Sequence, residues 1–306
     1  MSRVVVVKHE GALRGESISV AGYTAMLYEA LTALTGETTE AASLHKLLPR
    51  GAVGMKTNCL TGKQNSTPAP LVEALAGVLE AAGWKPTEIV VWDRTNRELQ
   101  TAGFKLSAGG FGRRCMGTDT NGVGYGSEFH SFGESSSLVS RILEEVVTAN
   151  INMPVLKDHS IAGLSGGLKN MFGAINNPNK FHNHNCDPHV AEVSMMDPIR
   201  SRNRLTIMDA VQVQYHNGPG FDRRYLVRYG SVILSDDPVA ADRVGLEVIG
   251  RLRERNGLPS LEKAGRPAKY LQTAAGLGLG QAELSVLEVK VLVMDDKGHV
   301  RAGELL

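Results

Sequence analysis

The sequence has no long apolar run, no excess of charge of either sign and few cysteines. No stretch of the 306-residue chain is apolar over the length that a membrane-spanning helix needs. The net charge of +1 gives no reason to expect nucleic acid or an anionic membrane as a partner. The three cysteines are odd in number and form no C-x-x-C pair, which argues against a disulfide framework.

Two common nucleotide-binding signatures are also missing. No G-x-G-x-x-G follows the first predicted strand, and no Walker lysine loop occurs, so we do not expect a dinucleotide or P-loop site. No signal peptide precedes the strand predicted at residues 3–8. We therefore expect a cytoplasmic protein, or a periplasmic one if an export signal has been removed.

Strands alternate with helices along the chain, which predicts an α/β fold with a mostly parallel sheet flanked by helices. The length allows one large domain or two modest ones. We expect a single domain over 1–306, which could form two lobes with a crevice between them. The predicted strands cover residues 4–7, 52–57, 89–92, 151–156, 205–208, 231–234 and 287–294. The predicted helices cover residues 23–34, 41–48, 71–82, 138–148, 239–253 and 268–275. The Gly- and Ser-rich segment 105–136 is predicted to be a loop.

Polar side chains follow three of these strands at the point where each strand ends. Lys56 and Asn58 end the second strand, Asp93 and Arg94 end the third, and His159 follows the fourth. Ligands of open α/β sheets bind at the carboxyl ends of the strands, and Lys and Arg there attract anions. The pattern predicts one crevice that binds a small anionic molecule.

The stretch from residue 154 to residue 189 is unusually dense in groups that carry chemistry. A Gly-rich turn, Gly166-Gly167, precedes Lys169 and Asn170, and His182 and His184 follow in one loop. Glycines let the backbone approach a cofactor, and a lysine beside such a turn can bind an anion or act as a nucleophile. Histidine is the commonest metal ligand and a near-neutral acid or base. The alternative is a polar surface loop with Asn-rich turns.

The cysteines suggest a second kind of site. Cys59, Cys115 and Cys186 each lie in a predicted loop beside polar residues. Three thiolates that converge could hold an iron–sulfur cluster or a soft metal. The alternative is three unrelated thiols, because free cysteine is often a small buried apolar residue.

Several segments together resemble the bacterial family called "domain of unknown function 362" over nearly the whole chain. They are Lys56-Thr57-Asn58-Cys59, Ser66-Thr67-Pro68, Trp92-Asp93-Arg94, Pro154 to His159, Gly166 to Asn170, Asn177 to His182, Cys186-Asp187-Pro188 and Asp236 to Asp242. The family name assigns no activity.

A more distant resemblance concerns the run from His159 to Lys169, which is similar to the nickel-pincer lactate racemase family. In that family a histidine precedes a G-[FY]-S-G-G-x-K turn, the lysine carries the covalent cofactor, and a later histidine binds nickel. The resemblance implies a lactate-racemase-like N-terminal architecture, Lys169 as cofactor tether, and His182 or His184 as nickel ligand. The second catalytic histidine would fall near Asp93-Arg94, where this chain has none.

Together these patterns predict a metal- or iron–sulfur-dependent enzyme, an isomerase or an oxidoreductase, that acts on a small anionic substrate. The catalytic residues would be His159, Lys169 and Asp93. The cofactor-binding residues would be Lys56, Asn58, Arg94, Gly166, Gly167, Lys169 and Asn170. The ligands of iron, nickel or zinc would be Cys59, Cys115, Cys186, His182 and His184. One alternative is a non-catalytic metal or electron carrier, and another is a metal-free enzyme that uses Lys169 to form a Schiff base.

Overall fold

A computed structural model describes residues 1–15 and 17–306 and consists of strands and helices in alternation. The strands are β1 Arg3–His9, β2 Val53–Lys56, β3 Ile89–Asp93, β4 Arg114–Gly117, β5 His130–Phe132, β6 Ser135–Ser137, β7 Ala149–Asn152, β8 Val155–His159, β9 Gly163–Ser165, β10 Asn203–Gln214, β11 Leu226–Ser235, β12 Glu288–Met294 and β13 Val300–Ala302.

The helices are α1 Glu10–Arg14, α2 Val20–Thr35, α3 Glu40–Leu47, α4 Ala69–Ala81, α5 Asn96–Ala102, α6 Gly167–Asn170, α7 His189–Met195, α8 Asp197–Arg202, α9 Pro238–Arg255 and α10 Tyr270–Gly276. Single 3-10 turns occur at Gly62–Gln64, Pro86–Glu88, Met171–Ala174, Pro178–Phe181, Asn183–Cys186, Arg223–Tyr225 and Leu284–Val286. The helix predicted at 239–253 is α9, and Asp237 is its N-cap: its carboxylate accepts hydrogen bonds from the N–H groups of Val239 and Ala240, both at 2.9 Å.

Eleven of the strands form one mixed, mostly parallel sheet. The order along it is β13-β12-β1-β11-β10-β7-β2-β3-β4, and β8 pairs with both β10 and β9. The run from β10 through β7, β2 and β3 to β4 is parallel throughout, whereas β11 is antiparallel to both of its neighbours. The predicted α/β fold with a mostly parallel sheet is therefore confirmed. Because β2 and β3 are parallel neighbours, their polar carboxyl ends lie side by side.

Each face of the sheet carries its own apolar core. Val4 and Val6 of β1 face one core, which is built with α7, α8, α9 and α10. Val5 and Val7 face the other core, which is built with α2, α3 and α4. The four valines therefore belong to a strand that is buried on both sides, as expected for the interior of a helix-covered sheet.

Three segments differ from the prediction. The helix expected at 138–148 is reduced to a π-helical turn at Ile142–Val146, preceded by β-bridges at Val139 and Ser140. The strand expected at 151–156 is two strands, β7 and β8, which meet at Met153-Pro154, and both pair with β10. The loop expected at 105–136 contributes β4 to the edge of the main sheet and β5 to a separate two-stranded sheet with β6. Apolar periodicity alone did not separate these short elements from their neighbours.

Within residues 1–15 and 17–306, the structure contains no helix with the length and apolar content required to cross a lipid bilayer.

Candidate functional site

A cavity of about 180 Å³ opens at the carboxyl ends of β2, β3 and β8. These strands end in Lys56, Asp93 and His159, and α6 supplies Lys169 and Asn170. The remaining lining residues are Asn58, Cys59, Leu60, Arg94, Glu98, Ser165, Phe172, Gly173, Pro178, Asn179, His182 and Pro219. The predicted crevice at the strand ends therefore exists, and it is assembled from distant parts of the chain.

One wall is a buried ion pair between Lys56 and Asp93. The Lys56 ammonium donates to the Asp93 carboxylate at 2.6 Å, and both side chains are buried. The same carboxylate accepts the backbone N–H groups of Cys59 and Arg94, each at 2.7 Å. Gly173 lies against this pair, where a Cβ atom would come within 2.8 Å of the Lys56 Nζ. The pair joins β2 to β3 and holds Asp93 fully hydrogen-bonded, so it is a rigid wall of the cavity.

Lys169 brings to the cavity an amine without a carboxylate partner. The Lys169 Nζ lies 3.1 Å from the Nε2 of His182 and 4.0 Å above the ring of Phe172. Lys169 is 8% exposed, and within the described parts of the chain it makes no ion pair. Burial lowers the pKa of Lys169 to about 8. A fraction of this amine is therefore unprotonated, and nucleophilic, near neutral pH.

The hydrogen bonds of the two histidines decide which ring nitrogens face the cavity. The Nδ1 of His159 accepts the backbone N–H groups of Ile161 and Ala162, so its proton resides on Nε2. The Nδ1 of His182 lies 3.1 Å from the carbonyl oxygen of Pro178, to which it donates, which leaves Nε2 as an acceptor for Lys169. Burial lowers the pKa of both imidazoles, to about 3 for His159. His159 is thus a neutral donor, and His182 is a neutral acceptor.

The charges around the cavity favour an anion. Three cations line it, namely Lys56, Arg94 and Lys169, against two carboxylates, Asp93 and Glu98. Asp93 pairs with Lys56 and Glu98 pairs with Arg94, which leaves the protonated Lys169 as the cation that an entering anion would neutralise. This excess of positive charge favours an anion, and the small anionic ligand itself stays a prediction.

A chain of amides, of which Asn152 and Asn170 are buried, fixes α6 to the sheet. The Nδ2 of Asn58 donates to the Oδ1 of Asn170 at 3.0 Å, and the Nδ2 of Asn170 donates to the Oδ1 of Asn152 at 2.7 Å. The Nδ2 of Asn152 in turn donates to the carbonyl oxygen of Gly167 at 2.7 Å. The amides are satisfied by one another, so this network orders the backbone that presents Lys169.

The buried Lys157 anchors the loop that follows β2. Its ammonium donates to the Oδ1 of Asn58 and to the carbonyl oxygen of Asn65, both at 2.9 Å. The pKa of Lys157 is lowered to about 8 by burial. Lys157 was not among the predicted site residues. The available signal was a lysine directly after the buried strand predicted at 151–156, where a buried charge needs a partner.

The Gly-rich turn has a packing role. The carboxylate of Asp242 on α9 accepts the N–H groups of Gly167 at 2.5 Å and Leu168 at 3.0 Å, at the start of α6. A Cβ atom at Gly166 would come within 2.3 Å of that carboxylate. Gly166 and Gly167 lie against Asp242, and their contact with a cofactor stays a prediction. The glycines are needed because the turn approaches α9 closely.

The predicted metal ligands do not form one group. Cys59 and Cys115 belong to the core with α2 and α4, whereas Cys186 belongs to the core on the other face of the sheet. His184 is exposed, in contrast to His182 at the cavity. Residues 1–15 and 17–306 contain no group of three or more His, Cys, Asp or Glu side chains placed to hold a metal ion. All three cysteines are buried free thiols, and burial raises the pKa of each, to about 11 for Cys115. The thiols do not converge, because Cys59 and Cys115 pack on one face of the sheet and Cys186 packs on the other.

A family model matches residues 53–247, which is more than half of the chain and includes every residue that lines the cavity. The chain belongs to the DUF362 family. The family's description is "Domain of unknown function (DUF362)", so membership in DUF362 adds no activity to the geometry. No curated protein matches the chain by sequence.

One similar solved structure is a protein of Thermotoga maritima, determined as a structural-genomics target. It is 13% identical to this DUF362 protein, with a TM-score of 0.43. The match covers 84% of this chain and 59% of that chain, so the DUF362 protein spans less than two thirds of its length.

Proposed function

We propose that the protein is an enzyme that acts on a small anionic substrate in the crevice, with Lys169 and His182 as its reactive pair. The observation that carries the proposal is the Lys169 amine: it is buried, lacks a carboxylate within the described residues, and lies 3.1 Å from an imidazole acceptor. An amine of this kind can attack a carbonyl carbon, and the neighbouring Nε2 can take up its proton.

The roles of the other residues follow from their hydrogen bonds. The Nε2–H of His159 would donate to an oxygen of the substrate, because the Nδ1 atom is already occupied by two backbone N–H groups. The ion pair of Lys56 and Asp93 would supply a fixed polar wall that needs no reorganisation during the reaction. The substrate class that suits these groups is a carboxylate that also carries a carbonyl, such as a 2-oxo acid.

A metal- or iron–sulfur-dependent form of the same proposal has less support. Three thiolates on two faces of the sheet do not fit a cluster, and we derive no step through one. The ring centroids of His159 and His182 lie 6.0 Å apart. His182 could ligate an ion through Nε2, whereas the Nε2 of His159 carries the ring proton and does not suit a metal ligand. The resemblance to lactate racemases, which makes Lys169 a cofactor tether, belongs to this form of the proposal.

The alternative of a non-catalytic carrier would place its functional groups at the surface. His159 and Lys169 are instead 6% and 8% exposed, at the wall of a cavity. Transfer of a metal or an electron to a partner favours exposed ligands, whereas chemistry on a small molecule favours a pocket that excludes water. The burial therefore supports the enzyme.

Reduction by borohydride in the presence of glyoxylate, pyruvate or 2-oxobutyrate tests the proposal. We expect one of these 2-oxo acids to give a stable adduct that peptide mass spectrometry locates at Lys169. Lys169→Met should give none. Lys180→Met is the matched control, because Lys180 also lies above a ring, that of Phe181 at 4.8 Å, but is exposed.

Metal analysis of protein purified without oxygen separates the two forms of the proposal. No adduct at Lys169, together with stoichiometric iron, nickel or zinc, would replace the amine chemistry with the metal-dependent form. No adduct and no metal would contradict both forms.

A further inference from the structure

A second cavity, of about 410 Å³, opens beside the start of α2 and α4. The loop between β2 and α4 contributes to both cavities: residues 58–60 line the crevice, and residues 63–70 line the second cavity. The other walls come from Tyr23 of α2, from Asp209 and Gln212 of β10, and from Arg228 of β11. None of these four residues takes part in the function proposed above.

The inner wall carries a buried carboxylate without a cation. Asp209 is 4% exposed, and its Oδ1 accepts a hydrogen bond from the hydroxyl of Tyr23 at 3.3 Å. Across residues 1–15 and 17–306 it makes no ion pair. The strand bulges between Ala210 and Gln212, directly after it, and bulges of this kind redirect side chains at sites. Burial raises the pKa of Asp209 to about 7. An unpaired buried carboxylate is costly, and a cationic ligand would offset that cost.

The rim of the same cavity is positive. Lys63 and Arg228 are exposed there, and neither forms an ion pair within the described part of the chain. The adjacent start of α4 has Pro68 at its N-cap position and therefore no side-chain cap. The hydroxyl oxygen of Ser66, on this wall, is buried without a hydrogen-bond partner among the described residues. Guanidinium and ammonium groups beside an uncapped helix start attract a carboxylate.

We propose that the second cavity binds a small zwitterion of the amino-acid type. Its ammonium group would contact Asp209, and its carboxylate would contact Arg228 and Lys63 at the rim. A simple anion would leave Asp209 unpaired, and a simple amine would leave the rim unpaired. The two charges of an amino acid satisfy both ends of the cavity, independently of the chemistry in the crevice.

Binding measurements on the full chain test this proposal. The twenty proteinogenic amino acids are added one at a time, and the melting temperature of the protein is measured with each. Those that raise it are then titrated by calorimetry. The pH is set near 8, above the pKa of Asp209. We expect at least one amino acid to bind saturably, and its analogue without the amino group to bind at least about tenfold more weakly, because a charge-assisted hydrogen bond is lost.

Two variants probe the two ends of the cavity. Asp209→Asn keeps an acceptor for Tyr23 but removes the charge, and Arg228→Gln removes the rim guanidinium; each should weaken binding about tenfold or more. Arg204→Gln, at another exposed arginine of the sheet, is the matched control and should leave binding unchanged. Lys169→Met should also leave it unchanged, which separates this site from the crevice.

Three outcomes would overturn the proposal: no amino acid binds, the analogue without the amino group binds equally well, or Arg228→Gln binds as the unmodified chain does. If Asp209→Asn does not fold, the analogue without the amino group and the Arg228→Gln variant still test the proposal.

Discussion

Replacing each of the two crevice lysines by methionine should change the free energy of unfolding in opposite directions. Methionine keeps most of the hydrocarbon of lysine and removes the charge. At Lys56 the change breaks a buried ion pair and leaves Asp93 without its cation, which costs about 3–5 kcal/mol. At Lys169 the change removes a buried ammonium group that has no carboxylate partner among the described residues.

The magnitude for Lys169 follows from its pKa. The difference between 10.5 for the free side chain and about 8 in the folded protein corresponds to about 3 kcal/mol of destabilisation by the charged form. Lys169→Met should therefore stabilise the protein by up to about 3 kcal/mol near neutral pH, less what is lost in hydrogen bonding to His182. Binding sites commonly retain such costly groups for function.

The pH dependence distinguishes this cause from a change in packing. Because the pKa of Lys169 is lower in the folded protein, the unfolded chain holds more protons between about pH 8 and pH 10.5, and stability rises with pH there. The penalty of the charged amine is complete below about pH 8 and is absent above about pH 10.5. The advantage of Lys169→Met should shrink over that interval.

Urea unfolding of the unmodified chain and both variants, near pH 7 and again near pH 10, measures these differences. Each variant is compared with the unmodified chain at the same pH, so titration of other groups cancels. A Lys169→Met variant that is as unstable as Lys56→Met near pH 7 would refute the reasoning, because Lys169 would then contribute a favourable interaction that its contacts do not account for.

Three further changes test other parts of the structure. Gly218→Ala should destabilise the protein by about 2–3 kcal/mol in urea unfolding, because its Cβ would lie 1.9 Å from the carbonyl oxygen of Asp158; unchanged stability would contradict this contact. Asp158→Asn should cost about 3–5 kcal/mol in the same assay, because it leaves the buried guanidinium of Arg266 without its carboxylate at 2.5 Å; a loss below about 1 kcal/mol would count against the pair. Lys157→Met should speed amide hydrogen exchange in residues 58–67, which its ammonium anchors through Asn58, while exchange in the rest of the sheet stays unchanged; an unaltered exchange rate in that loop would mean that the anchor is not needed.

The positions of the crevice residues were predictable because strand direction fixes them. Lys56, Asp93 and His159 each follow an apolar run, and parallel strands bring such positions to one edge of the sheet. Their partners were not predictable, because hydrogen bonds between distant segments leave no local pattern. Asp242 of α9, for example, holds the first turn of α6 through the N–H groups of Gly167 and Leu168.

The positions of the cysteines, in contrast, were not predictable from the sequence. Cys59 lines the crevice and packs in one core, whereas Cys186 lies in a 3-10 turn and packs in the core on the other face of the sheet. Sequence spacing carries no information on that choice when the residues lie in irregular segments. The strands β7 and β8 were predicted as one strand, because the break at Met153-Pro154 interrupts the pairing but not the apolar run.

The loop between β2 and α4 forms part of the wall of both the crevice and the second cavity. Lys157 fixes this loop through Asn58 on the crevice side and through the backbone of Asn65 on the other. A molecule bound in either cavity would restrict the motion of this loop, and the restricted loop would then form the wall of the other cavity. Binding in the crevice and binding in the second cavity are therefore expected to be thermodynamically linked, and such a linkage acts equally in both directions.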